Sequence, residues 1–412
     1  NNPSALHNTK QKKLYRKQML ESKRPDECDY CWNIEDTSKW NISDRHINNY
    51  YIYSKQEIEY LKEQWGNIDF NPTRVEVSFW NQCQFKCWYC SPKASSSYWQ
   101  ETEKYWPMHE AHDLSSIQLW KSEDDNPYIK AWWKWWPHIK DGLIRLRITW
   151  WEALLQESTW RVFKEINNGI FPYLELCVNS NLWVNQVLVR KLTTYVSKFE
   201  EHKNIKKFEL YTSLDTWWER AEYLRTWLNL VHWENNLHFF LQNTKASISV
   251  MVTFNALAVT TFKDFLKKIL EWRKIYPDNM DEDTRYHRVR FQIHYLRYPE
   301  HYSIHVLSKK EFIPYMYDAL GFIWENISEW DGTKFSQSEY ELFKRVVDYM
   351  EKPIWNKNQM MENRSKFYTW FQKLDERRET DFLSTFPEYT DFMEKCRKTN
   401  LAKNYLISSI HE

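Results

Sequence analysis

The sequence predicts an α/β fold: a partial (β/α)6 TIM-like barrel followed by a mostly helical C-terminal extension. Three observations carry this expectation. Six strand-length runs are rich in β-branched and apolar residues: Thr73–Phe79, Leu143–Thr149, Tyr173–Asn179, Lys207–Leu214, Ser247–Phe254 and Val289–Leu296. Helical patterns separate them, most clearly Phe262, Phe265, Leu266, Ile269 and Leu270 at i, i+3, i+4, i+7 and i+8. Strands joined through helices pair in parallel, and six such units suit a partial barrel better than the full eight.

In chain order, residues 1–72 form an N-terminal region. Its first 27 residues are polar and helical, with Leu14, Met19 and Leu20 as apolar points. Cys28-Asp-Tyr-Cys31-Trp32 follows, then a polar stretch with a helical patch at Glu57–Glu63. Residues 73–300 hold the six units. In the first strand, Val75, Val77 and Phe79 alternate with Arg74, Glu76 and Ser78, the period of a half-buried strand. A helix is expected over Lys93–Tyr105 and a loop over 106–128. The cluster Trp132, Trp133, Trp135 and Trp136 reads as the packing face of a helix rather than a ligand cage. Residues 301–412 are expected to be helical. Ser336-Gln-Ser-Glu339 is a capping-box signature ahead of Tyr340, Phe343, Val346, Val347 and Met350, and Lys366–Cys396 is aromatic-rich.

Composition excludes several classes. Over 412 residues, Lys+Arg 57 against Asp+Glu 56 gives +1, so no global basic field points to nucleic acid. Mean hydropathy is −0.78, and no apolar run approaches the ~18 residues of a membrane span. The polar start has no signal-peptide core, and without an initiator Met the chain reads as a fragment. Seven cysteines do not form a disulfide framework, which fits a reducing cytoplasm.

The chemistry concentrates in Cys83-Gln-Phe-Lys-Cys87-Trp-Tyr-Cys90, spaced C-x3-C-x2-C on the loop that leaves the first strand. Thiolates are the usual ligands of iron–sulfur clusters, and a 4Fe–4S cluster normally takes four. Three would leave one iron open, as catalytic zinc keeps one position open. The competing reading is zinc shared between Cys28/Cys31 and Cys87/Cys90, although that spacing is long and leaves Cys83 over.

With Tyr89 just before its last cysteine, this loop resembles the radical S-adenosylmethionine (SAM) family. The resemblance implies that Cys83, Cys87 and Cys90 hold a 4Fe–4S cluster whose open iron takes SAM. An electron from the cluster then cleaves SAM to a radical that abstracts hydrogen from substrate. In barrels of this kind functional groups gather at the C-terminal strand ends. Thr149-Trp150-Trp151-Glu152 stands where the family has Gly-Gly-Glu against the SAM amino group, and Ala153 replaces a common proline. Asn179 and Ser213, at the next two strand ends, correspond to polar contacts with SAM. Arg297, after the sixth strand, is a candidate carboxylate ligand, whereas Cys177 and Cys396 read as buried thiols.

The likeness extends along the chain. Ser213-Leu-Asp-Thr-Trp217, Met251-Val-Thr-Phe-Asn255-Ala-Leu, Leu296-Arg-Tyr-Pro-Glu-His301 and Thr385-Phe-Pro387 are similar to signatures of one twitch (SPASM-like) radical SAM group. There the Cys28/Cys31 element binds an auxiliary iron–sulfur cluster. The resemblance implies a peptide or protein substrate and an electron donor such as a flavodoxin or ferredoxin. Two alternatives stay open: a non-catalytic iron–sulfur or zinc-binding relative that acts as a binding protein, and a small-molecule radical SAM enzyme.

One departure is large. Glycine occurs 5 times, where average usage of about 7% gives roughly 29, and tryptophan occurs 25 times. Trp65, Trp80, Trp150, Trp151 and Trp183 stand where glycine is expected, whereas Trp32, Trp99 and Trp217 match family tryptophans. Overpacking costs ~1–3 kcal/mol per site, so about ten such sites exceed the ~5–15 kcal/mol a domain has to spare. UGA codons read as glycine in the organism, and printed as tryptophan, resolve the conflict. They also weaken the lack of G-x-G-x-x-G as evidence against a Rossmann fold. Sequencing the gene is expected to find UGA at codons 150 and 151; UGG at both would remove the explanation there.

Overall fold

The computed structural model describes residues 7–37, 54–64, 67–109, 113–115, 120, 122–149, 152–278, 287–328 and 330–411. They gather into two compact units, residues 1–76 with 120–146 and residues 77–119 with 147–412.

All six expected strands form: β1 Arg74–Val77, β3 Arg145–Ile148, β4 Phe171–Asn179, β5 Ile205–Ser213, β7 Ser247–Phe254 and β8 Val289–Tyr295. They make one sheet in the order β1-β3-β4-β5-β7-β8, so the two ends of the order are the first and last strands. The β4–β5, β5–β7 and β7–β8 pairs are parallel. Register from Ile248↔Val289 to Phe254↔Tyr295 is unbroken. The amides of Arg145 and Thr149 donate to the Thr73 and Val77 carbonyls, a rising pairing that makes β1–β3 parallel as well. A ribbon that no periodicity announces, β2 Lys86–Cys87 against β6 Arg225–Thr226, is antiparallel.

Apolar burial explains why the strands formed where expected. Ile248, Val250, Val252 and Phe254 on β7 are buried, as is the whole stripe Phe262, Phe265, Leu266, Ile269 and Leu270 on the Phe262–Ile275 helix. Parallel strands covered by helices read as near-continuous apolar runs for this reason. The Pro127–Ile139 helix buries Trp132, Trp135 and Trp136, the packing role expected of that cluster. The C-terminal region is helical over Lys309–Glu325, Gln337–Glu351, Lys357–Arg378 and Thr390–His411. Ser336 and Glu339 make both bonds of the capping box. Among the described residues no helix is long and apolar enough to cross a membrane.

The backbone bears on the tryptophan excess. Trp106, Trp218 and Trp227 adopt φ of 69°, 63° and 85°. With ψ of 160° and −162°, Trp106 and Trp218 occupy a region that is essentially restricted to glycine. Neither indole gains burial in exchange, at 80% and 55% exposed. The neighbouring Trp217 is buried instead, against Trp272 and Trp218. Trp80 and Trp183 are not among the positive-φ residues, and Trp65, Trp150 and Trp151 lie outside the described residues.

Glycine at 106 and 218 relieves ~1–3 kcal/mol of backbone strain at each, less ~0.5–1 kcal/mol for the freer unfolded chain. Trp106→Gly and Trp218→Gly are therefore expected to be neutral or to stabilise by up to about 2 kcal/mol in urea denaturation. Trp217→Gly should cost about 3–5 kcal/mol by opening a cavity. Equal losses at all three positions would defeat the argument.

Candidate metal centre

The loop from Cys83 to Cys90 leaves the C-terminal end of β1 and is fixed from several sides. The Cys83 carbonyl accepts from the Ser95 and Ser96 hydroxyls at 3.3 and 3.1 Å, and the Phe85 carbonyl from Ser95 at 2.6 Å. These serines open the Ser96–Tyr105 helix, with Ser95 as its N-cap. In the loop's middle, Trp88 donates its amide to the Leu224 carbonyl at 3.0 Å and buries its indole against Tyr302 and Phe371.

None of the three cysteines is in a disulfide; Cys87 is buried, and Cys83 and Cys90 are half-buried. Burial pushes all three thiols up, Cys90 to about 12, and the neighbouring Cys87 adds to the rise at Cys83 and Cys90. At Cys87 the Arg225 guanidinium opposes the effect of burial. As bare thiols they keep their protons, and a bound cation would release them. Two N–H donors face the sulfurs. Arg225 Nη1 lies 3.8 Å from Cys87 Sγ, and Asn181 Nδ2 lies 4.0 Å from Cys83 Sγ.

Loops from the other strand ends converge on this one. After β3, the Glu152 amide donates to the Gln82 carbonyl at 3.1 Å, and Gln156 donates to the Trp80 carbonyl at 3.1 Å. After β4, Asn181 accepts from Gln84 at 3.1 Å. After β5, Asp215 accepts from the Tyr89 hydroxyl at 2.7 Å. The parallel sheet thus brings four segments, distant in sequence, to one end.

The expected SAM contacts fare differently. Glu152 is fully buried, and its two oxygens accept from the amides of Leu154 at 3.0 Å and Asn181 at 2.6 Å. A carboxylate has about four lone-pair positions, so capacity remains, but the group already ties the β3 and β4 loops together. Asn179 accepts from Arg147 at 3.1 Å, and Ser213 ends β5 half-buried. Trp150 and Trp151 lie outside the described residues.

Cys28 closes a turn at Asp26–Cys28, and Cys31 lies in the Asp29–Thr37 helix, both half-buried. Their three-residue spacing along a helical path puts them on one side. They belong to the other compact unit. Trp32 is buried, with its indole N–H on the Pro25 carbonyl. Cys177 and Cys396 are buried as expected. Arg297 is exposed, stacks on Tyr295 and donates to its hydroxyl.

Among the described residues, no three His, Cys, Asp or Glu side chains are gathered into a single-ion site. Three thiols on one loop, two of them reached by N–H donors, are the kind of donor set a 4Fe–4S cluster would take. Sequence reasoning missed Arg225, Asp215 as its partner, and Asn181. Asp215 stands inside a stretch already singled out and Asn181 lies two residues past Asn179, but Arg225 lies on a two-residue strand with no periodic signal. No family model, curated protein or solved structure matches the chain.

Burial raises the Glu152 carboxyl from 4.5 to about 7, against the pull of its hydrogen-bond donors. Folding therefore takes up a proton at Glu152 between these values, so stability falls as pH rises through this window and levels off above it. The span corresponds to an effect on the order of 3 kcal/mol. Glu152→Gln cannot titrate. The stability difference between wild type and this variant, followed by urea denaturation, should drift across pH 4.5 to 7 and stay constant above; a flat difference throughout would contradict the assignment.

Proposed function

We propose that the chain is a radical SAM enzyme built on a partial (β/α)6 barrel. The observation that carries this reading is the convergence of loops after β1, β3, β4 and β5 around three free thiols in C-x3-C-x2-C spacing. Cys83, Cys87 and Cys90 would hold a 4Fe–4S cluster, and Glu152, Asn179 and Ser213 would face SAM. A bound cluster would supply the electron for cleaving SAM, chemistry that the side chains of this chain cannot provide. The chain's part is to orient and to exclude water: Trp88 seals the back of the loop, and Glu152 fixes the β3 and β4 loops against each other. Cys28 and Cys31 would contribute to an auxiliary iron–sulfur cluster. A peptide or protein substrate, a flavodoxin- or ferredoxin-like electron donor and a cytoplasmic setting complete the proposal.

A second reading is favoured by one observation. Both Glu152 oxygens are already engaged by backbone amides, which suits a non-catalytic iron–sulfur or zinc-binding relative.

Anaerobic reconstitution should load an oxygen-labile cluster, seen by iron and sulfide analysis and by electron paramagnetic resonance after reduction. The Cys83/Cys87/Cys90 triple alanine variant should lose that signal. Reductive cleavage of SAM separates enzyme from binding protein, and stoichiometric zinc without iron would overturn both iron readings.

A further inference from the structure

Antiparallel pairing of β2 with β6 sets Arg225 directly across from Cys87. Arg225 is 5% exposed and Asp215 is fully buried. The guanidinium grips the carboxylate with two prongs, Nε to Oδ2 at 3.0 Å and Nη2 to Oδ1 at 2.9 Å. Asp215 also accepts the Tyr89 hydroxyl at 2.7 Å and the Thr253 amide at 2.8 Å. Four donors fill the four lone-pair positions of one carboxylate. The acid is therefore saturated by groups from β7, from β6 and from the cysteine loop, and it cannot rotate without breaking several bonds.

That saturation leaves the third prong of the fork with a fixed direction. Nη1 lies 3.8 Å from Cys87 Sγ, and the guanidinium carbon stands 5.6 Å from the centre of the Tyr89 ring. A buried ion pair is weak evidence for stability, because desolvation offsets much of its attraction. An apolar pair could close the same ribbon. What an apolar pair could not do is aim an N–H at the sulfur.

From this geometry we infer that Arg225, oriented by Asp215, is a positioning residue that raises the reduction potential of the cluster held by Cys87. The inference rests on the proposed iron–sulfur function. Hydrogen bonds to ligand sulfurs and nearby charge are among the factors that set cluster potentials. An N–H of a guanidinium aimed at the thiolate from 3.8 Å favours the reduced and more negative state. The reaction class requires such adjustment, since the same loop must both hold the cluster and let it accept an electron from a donor protein.

The test is an anaerobic redox titration of the reconstituted full chain, followed by electron paramagnetic resonance, for wild type, Arg225→Gln and Arg225→Lys. Circular dichroism checks the fold, and iron analysis gives cluster occupancy. In Arg225→Gln the ratio of reduced to oxidised cluster at a fixed potential should fall about tenfold, a downward shift of about 59 mV for a one-electron couple. Arg225→Lys, which keeps the charge and loses the fork, should fall between. A wild-type midpoint in the iron-loaded Gln variant overturns the inference. So does failure of both variants to fold or to hold iron, which would make Arg225 a scaffold alone. A wild-type chain that takes up no iron overturns the parent reading, and this one with it.

Discussion

Two buried guanidinium groups hold the cysteine loop in place, and the site depends on them. Arg225 grips it from the β6 side. Arg378, at the end of the Lys357–Arg378 helix, donates to the Lys86 carbonyl at 2.7 Å and to the Thr226 hydroxyl at 2.9 Å. Its other nitrogens engage both oxygens of Glu101, which also accepts from Lys86 at 2.8 Å. Arg378 and Glu101 side chains are 2% and 3% exposed. Removing one partner of such a pair costs about 3–5 kcal/mol, because the other charge stays buried and alone. The C-terminal helices are thus part of the site's support rather than an appendage to the sheet.

Much of this architecture was legible in the sequence. Ser247–Phe254 forms with the limits expected of it, because Ile248, Val250, Met251, Val252 and Phe254 make a largely apolar, β-branched run of strand length. Leu143–Thr149 shrank to Arg145–Ile148, since the pattern marks apolar residues and not where ladder bonds begin. The Ser336 cap was legible because its partner is three residues away. Arg225 and Arg378 were not, because charge alone reads as solvated surface. Their meaning comes from Cys87, Asp215, Lys86 and Glu101, set opposite them by the ribbon and the helix packing. Asn181, rather than Asn179, turned out to face a cysteine, because the chain turns at the end of β4 and Leu182 enters left-handed geometry just beyond it.

Glu152 illustrates how one residue can serve structure and chemistry at once. Its pairing with the Leu154 and Asn181 amides satisfies two donors at the ends of different strands. A buried carboxylate used in this way is expensive to keep charged. Any cation approaching it would relieve that expense and be held more strongly for it.

The backbone at Trp106 and Trp218 has a practical side. If those positions are UGA codons, a host that terminates at UGA releases the polypeptide no later than Tyr105. At its longest the product would end with the cysteine loop and the helix behind it, and it would hold none of the strands from β3 onward. Such a fragment lacks Asp215, Arg225 and Arg378, the groups that fix the loop. Production would then call for a recoded gene, and the choice of glycine or tryptophan at each recoded position would decide which protein is made.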